Sequence, residues 1–93
     1  MSMDGENTQQ FIEDKIKEII ISVADFPLDK ASISEEDDGI RNLGLNSLTI
    51  IRMMVEIERY FDISIDIEDE SVMHSLNKLS QYISTRWAAI NSK

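Results

Sequence analysis

Two sets of apolar residues recur at helical spacing between Ser47 and Phe61, and they cannot both face the same way. One set is long enough to form the core-facing stripe of a helix, whereas the second lies roughly 100° or more around the cylinder. A helix in a small bundle buries one stripe. The second is then either exposed to a partner or covered by a loop, and the pattern alone favours neither. The first set is Ile50, Met53, Met54, Ile57 and Phe61, and the second is Leu48, Ile51 and Val55.

The rest of the chain carries three further helical patterns. Isoleucines spaced three and four residues apart predict a first helix at roughly Gln9–Ala24, and Pro27 ends the pattern. We predict the helix with the two apolar sets at Ser47–Tyr60 and a short helix at Glu68–Met73. A last helix follows Ser75, which can serve as its N-cap.

The connections between these helices are unequal in length. Residues 25–46 form a long first loop with scattered apolar anchors and room for a short helical turn near 35–43. Residues 62–66 alternate weakly like a strand, but no second strand is available to pair with them, so we expect a connector. The sequence therefore predicts an all-α fold, a four-helix bundle with three long helices and one short helix.

The chain has 93 residues, which is room for a single domain. We expect a disordered N-terminal tail at 1–7, the domain itself at 8–88 and a C-terminal tail at 89–93. A domain of this size hides only roughly 60–65% of its unfolded surface. It therefore has no space for a deep active site with covering lids.

The charge and composition exclude several classes of function. Asp and Glu number 18 against 9 Lys and Arg, giving a net charge of −9. Nucleic acids and anionic membranes attract clustered cations, so neither is an expected partner, whereas basic proteins are. The absence of cysteine rules out disulfides, thiolate nucleophiles and cysteine-based zinc sites. No long apolar run or signal-peptide pattern occurs, so we expect a cytoplasmic protein.

The sequence offers little for catalysis or metal binding. His74 is the single histidine, so a Ser–His pair could form only with this residue, which we expect to be exposed near a helix end. The acidic run at 35–38 lacks the alternating ligand spacing of a calcium loop and its glutamate at the twelfth position. Asp66, Glu68 and Glu70 do alternate but lack the loop glycine, so solvated surface explains both segments. We therefore expect neither a metal site nor an enzyme.

Ser47 stands where the central helix begins. Backbone N–H groups are unpaired there and the helix dipole is positive, so a phosphodiester on the hydroxyl would be stabilised. Either Asn46 or Ser47 can cap this helix. Serine is among the commonest capping residues, and from spacing alone an ordinary cap is the simpler interpretation of Ser47. In that case the chain would be an unmodified helical interaction module that binds a partner through the second apolar set.

Three segments together resemble the carrier proteins of acyl and peptidyl groups. Residues 42–48, Asn-Leu-Gly-Leu-Asn-Ser-Leu, resemble the phosphopantetheine attachment motif, usually written L-G-x-D-S-L. Residues 57–63 resemble the family's L-E-x-x-F-x-I end of helix 2, and 76–83 resemble its last helix. The resemblance covers about 9–87. It implies a bundle of the acyl carrier protein type, with a 4′-phosphopantetheine arm donated by coenzyme A and attached to Ser47.

The resemblance also implies how such a chain would work. Acyl or aminoacyl groups would be held as thioesters on the arm and presented to partner enzymes, while the chain itself would perform no chemistry. The positions that it assigns to partner docking are Asn46, Leu48, Ile51, Arg52 and Val55. The positions that could line a cavity for an acyl chain are Met53, Met54, Ile57, Phe61 and Ile65, although simple core filling also explains each of them.

Two departures from the family pattern bear on the pathway. Asn46 replaces the usual Asp before the serine, which removes a charge that the modifying transferase often recognises. Arg52 and Arg59 balance Glu56 and Glu58, whereas carriers of primary fatty-acid synthesis are acidic there. We infer a specialised system such as nonribosomal peptide or polyketide assembly. The expected partners of a monomer are a phosphopantetheinyl transferase, an adenylating loading enzyme, condensing or tailoring enzymes and a thioesterase.

Overall fold

The described part of the chain folds into four α-helices, as the sequence predicts. The computed structural model describes residues 5–66 and 68–91, with side chains at 8–66 and 68–87. None of the described residues forms a strand, which confirms the all-α class with three long helices and one short. Every helix within this described part is too short or too polar to span a bilayer. The helices are α1 (Gly5–Val23), α2 (Ser47–Phe61), α3 (Ser71–His74) and α4 (Leu76–Asn91).

The helix boundaries differ from the predicted ones mainly at helix ends where the sequence pattern is weak. Helix α1 begins at Gly5, within the stretch assigned to the N-terminal tail, and α2 extends one residue beyond Tyr60. Helix α3 is shifted towards the C-terminus because the side chain of Asp69 accepts the N–H of Ser71 at 3.0 Å and fixes a turn there. Residues 1–4 and 92–93 lie outside the described residues, and the division into tails and domain stays a prediction.

The long first loop contains two short 3-10 helices. The second, Arg41–Leu43, lies within the region where a helical turn was expected, whereas the first, Lys30–Ser32, has no apolar pattern to predict it. Ile33 and Ile40 are buried and anchor the loop to the bundle. The N–H of Ile40 also donates to the carbonyl of His74 at 2.9 Å, so the loop is attached to the end of α3.

The core is built from one stripe of each long helix. Because these stripes follow the i, i+3, i+4 spacing, each helix turns its apolar face to the others and its charged face to water. Burying one such side chain contributes about 1.5–3 kcal/mol. The stripes include Ile12, Ile16 and Ile20 on α1, Met53, Ile57 and Phe61 on α2, and Leu76, Leu79 and Ile83 on α4.

Residues 62–66 form a connector and not a strand, as expected. Asp62 ends α2 in the left-handed conformation, with φ 56°, and its N–H donates to the carbonyl of Glu58. The Glu58 carboxylate also accepts the N–H of Ile65 at 2.8 Å, and the Tyr82 hydroxyl accepts the N–H of Asp66 at 2.8 Å. Side chains of α2 and α4 thus supply the hydrogen bonds that a partner strand would otherwise provide.

Candidate functional site

The first turn of α2 is fixed by Asn46 and by the turn that precedes it. Gly44 adopts a left-handed conformation, with φ 75°, which glycine reaches without steric cost, and it ends the second 3-10 helix. Asn46 is then extended and acts as the N-cap: its side-chain oxygen accepts the N–H of Thr49 at 2.8 Å. Its carbonyl accepts the N–H of Ile50 at 3.0 Å. Ser47 is consequently the first helical residue.

Ser47 is exposed at this positive end of the helix. Among the described residues, no group forms a hydrogen bond with its hydroxyl, and none accepts the N–H of Ser47 or of Leu48. A phosphodiester on the hydroxyl would therefore meet free backbone donors and a favourable dipole while the oxygen stays open to solvent. The geometry fits a phosphate-linked group at this residue.

The second apolar set of α2 lies on the surface. Leu48 is 59% exposed, Ile51 57% and Val55 43%, and Arg52 is exposed beside them. The long loop therefore does not cover this stripe, and that alternative from the sequence pattern is wrong. The docking role that the resemblance gives to these residues and to Asn46 stays a prediction.

An apolar groove opens beside Ser47, between α2, the end of the long loop and α3. Its volume is about 540 Å³, which is within the range of small-molecule sites. Side chains of all three elements line it, and Ser47 lies at its edge. Its apolar lining residues are Ile40, Leu45, Ile50, Ile51, Met54, Val55 and Met73.

The residues proposed for an acyl cavity are divided by the structure. Met54 lines the groove beside Ser47. Met53, Ile57 and Phe61 are buried in the helical core and are not part of the groove wall. Ile65 is half-buried in the connector after α2, where its N–H donates to Glu58. Their roles towards cargo stay predictions.

Sequence reasoning missed the part of the groove that comes from outside α2. The loop anchors Ile40 and Leu45 were visible as isolated apolar residues, but nothing in the sequence placed them opposite α3. His74, which we expected to be exposed, is half-buried and lines the groove together with Met73. The signal that could have indicated this wall is the pair of apolar residues Val72 and Met73 just before His74, facing a loop with its own apolar anchors.

The charged side chains near the groove differ from those elsewhere on the chain in how they are paired. Arg41 and Glu70 line it, and Arg52 lies on the exposed stripe. Glu56, by contrast, is held by Arg59 at 3.4 Å on the side of α2 that faces α1.

In the described part of the chain, no group of three or more His, Asp or Glu side chains could hold a metal ion.

Comparison with known proteins gives the family. The family model described as the phosphopantetheine attachment site matches residues 14–83, a range that contains Ser47 and the groove. The acyl carrier protein of Buchnera aphidicola subsp. Schizaphis graminum (strain Sg) is 31% identical over 75 residues, covering 81% of this chain and 92% of the relative. That of Chlorobium phaeovibrioides (strain DSM 265 / 1930) is 30% identical over 76 residues, covering 82% and 95%. No solved structure matches the chain significantly.

The matches agree with the helical bundle and with the exposed serine at the start of α2. Together they define the class as a small helical carrier protein. The chain belongs to the acyl and peptidyl carrier protein family, whose members bear a phosphopantetheine group. Its cofactor is 4′-phosphopantetheine, covalently attached. The resemblance seen in three short sequence segments is thereby confirmed over most of the chain.

Proposed function

We propose that Ser47 carries the arm and that the chain presents acyl or aminoacyl groups to partner enzymes, which perform the chemistry. The observation that carries the proposal is the exposed hydroxyl at the start of α2, which has no hydrogen-bond partner among the described residues. A serine that served only as a cap would direct its oxygen to a backbone N–H of the first turn. Here Asn46 fills that role, so the Ser47 hydroxyl is left for attachment.

The surroundings of Ser47 supply binding and shielding. When bound, the arm supplies a terminal thiol that holds cargo as a thioester, and tethering raises the local concentration of that cargo at each partner. The amides of Ser47 and Leu48 are placed to donate to phosphate oxygens. The apolar groove next to them can shelter an apolar portion of the cargo from water, with Met54 and Met73 as adaptable walls.

The proposed pathway is a specialised one, such as nonribosomal peptide or polyketide assembly. Support comes from α2, where Arg52 and Arg59 offset Glu56 and Glu58, and from Asn46 in place of the usual Asp. The two relatives described above are only 30–31% identical, which leaves room for a different pathway. In this proposal the exposed residues Leu48, Ile51 and Val55 dock a loading enzyme, condensing or tailoring enzymes and a thioesterase in turn.

Intact-mass measurement tests the attachment site. Wild-type chain incubated with coenzyme A and a promiscuous phosphopantetheinyl transferase should gain the mass of one arm. Ser47→Ala should gain none while its far-UV circular dichroism stays that of a folded helical protein. Ser64→Ala is the matched control, because Ser64 is also exposed but lies in the connector after α2, and it should be modified like wild type.

Two outcomes would contradict the proposal. Uptake of the arm by Ser47→Ala would move the attachment site to another residue. A wild-type mass that stays unchanged with an active transferase would instead favour the unmodified helical interaction module, in which the exposed stripe of α2 alone binds a partner.

A further inference from the structure

Most lysine and arginine side chains in the described part of the chain have a partner within the fold. Arg86 packs over the ring of Tyr82 at 4.7 Å, and Lys78 interacts electrostatically with Asp69. Among the described lysines and arginines, only the side chains of Arg41 and Arg52 have no hydrogen bond, ion pair, ring contact or electrostatic partner. Four others form ion pairs with glutamates, namely Lys15, Lys17, Lys30 and Arg59.

These two unpaired arginines flank the exposed stripe of α2. Arg52 follows Leu48 by one helical turn and precedes Val55 by another, so the three side chains share one face. Arg41 lines the groove together with Ser47 and lies on the loop side of the stripe. The groove also contains the carboxylate of Glu70. Two unpaired guanidinium groups thus lie beside the exposed stripe, on a chain whose net charge is −9.

We infer that the enzyme docking on this face presents an apolar ridge flanked by carboxylates, which pair with Arg41 and Arg52. The inference rests on the proposed function for the existence of a docking enzyme, and it adds the chemistry of that enzyme's surface. A basic partner would be attracted to the acidic chain at long range. At contact, however, its cations would face two arginines that have no other partner, and like charges brought together at an interface cost affinity. The two arginines therefore favour a partner surface that is acidic, whereas the net charge of the chain favours one that is basic.

Two synthetic helical peptides separate these possibilities. Both carry the same leucines at i, i+3, i+4 and i+7, and one is flanked by glutamates while the other is flanked by lysines. Binding to the unmodified chain is followed by the amide NMR shifts of Leu48, Ile51 and Val55 at about 150 mM salt, where charges beyond roughly 8 Å are screened. The glutamate peptide should bind about two- to tenfold more tightly, since each exposed ion pair contributes little alone.

Charge-reversed variants locate the effect. Arg52→Glu and Arg41→Glu should each weaken the glutamate peptide about two- to fivefold and strengthen the lysine peptide. Lys30→Glu is the matched control, because it makes the same change in net charge on an exposed residue that pairs with Glu18 of α1 and does not line the groove. It should leave both affinities within about twofold of wild type.

Each contrary result has a definite meaning. Tighter binding of the lysine peptide, equal binding or no binding by either peptide would overturn the inference. Shifts at the same amides that depend on chain concentration without peptide would assign the face to a second copy of the chain, and would overturn it too. Because the peptides need no arm, arm uptake at Ser47 can succeed while this inference fails, and the reverse also holds.

Discussion

At the scale of single residues, Asn46 and Ser47 have different roles at the start of α2. Asn46 accepts the N–H of Thr49 and holds the first turn of α2, so Ser47 contributes a hydroxyl that the fold does not use. The sequence motif was sufficient to single out both residues, because capping preferences are local and depend on few atoms. It left open which of them caps, since either side chain could accept a bond from the first turn.

The capping role of Asn46 gives a stability prediction. Asn46→Ala should lower the free energy of unfolding by about 1 kcal/mol, because the N–H of Thr49 loses its acceptor. Asn46→Asp should leave stability within about 0.5 kcal/mol of wild type, since aspartate caps as well as asparagine and its charge suits the helix N-terminus. Urea unfolding followed by circular dichroism measures both. A loss in Asn46→Asp as large as in Asn46→Ala would show that the cap is not the source of the effect.

At the scale of elements, α2 buries one stripe of apolar side chains in the core and exposes the other to solvent. Its buried stripe follows from spacing in the sequence, because burial and periodicity are directly linked in a helix. Whether the long loop covers the second stripe depends on the path of that loop. Tertiary packing sets this path, and the local sequence pattern does not reveal it. The same limit explains α3: its position is set by the side chain of Asp69 and by the bond between Ile40 and His74, neither of which leaves a periodic pattern.

Two isoleucines of α2 provide a matched test of this division. Ile57→Ala should cost about 2–4 kcal/mol of unfolding free energy, because Ile57 is fully buried and a cavity would remain. Ile51→Ala removes the same atoms from a side chain that is 57% exposed, and it should change stability by about 0.5 kcal/mol or less. Urea midpoints at constant slope give the comparison. Equal losses in the two variants would mean that Ile51 is packed in solution and that the exposed stripe is not free for docking.

At the scale of the whole molecule, the fold class was predictable and the groove was not. Helical spacing, the lack of a second strand and the chain length together leave few alternatives to a small helical bundle. The groove beside Ser47 arises where α2, the loop and α3 meet, and it depends on how Ile40 and Met73 approach each other across 33 residues of sequence. Composition gave the net charge but could not show that two arginines gather on the face that bears the serine.

The overall charge leads to a prediction about salt. Only three of the glutamates form ion pairs within the described residues, so most of the acidic surface repels itself. Raising NaCl from about 10 to 500 mM shortens the Debye length from roughly 30 Å to a few ångströms. We expect the thermal unfolding midpoint to rise as this repulsion is screened. Scanning calorimetry measures it, choline chloride controls for effects specific to sodium, and a falling midpoint would show that the surface ion pairs dominate instead.

The two-sided character of α2 has a consequence for how such chains diverge. Substitutions at Leu48, Ile51 or Arg52 change the surface that a partner protein contacts, while the buried residues Met53 and Ile57 keep the fold intact. A lineage can therefore exchange one set of client enzymes for another through a few surface replacements on a single helix, without first acquiring compensating changes in its interior.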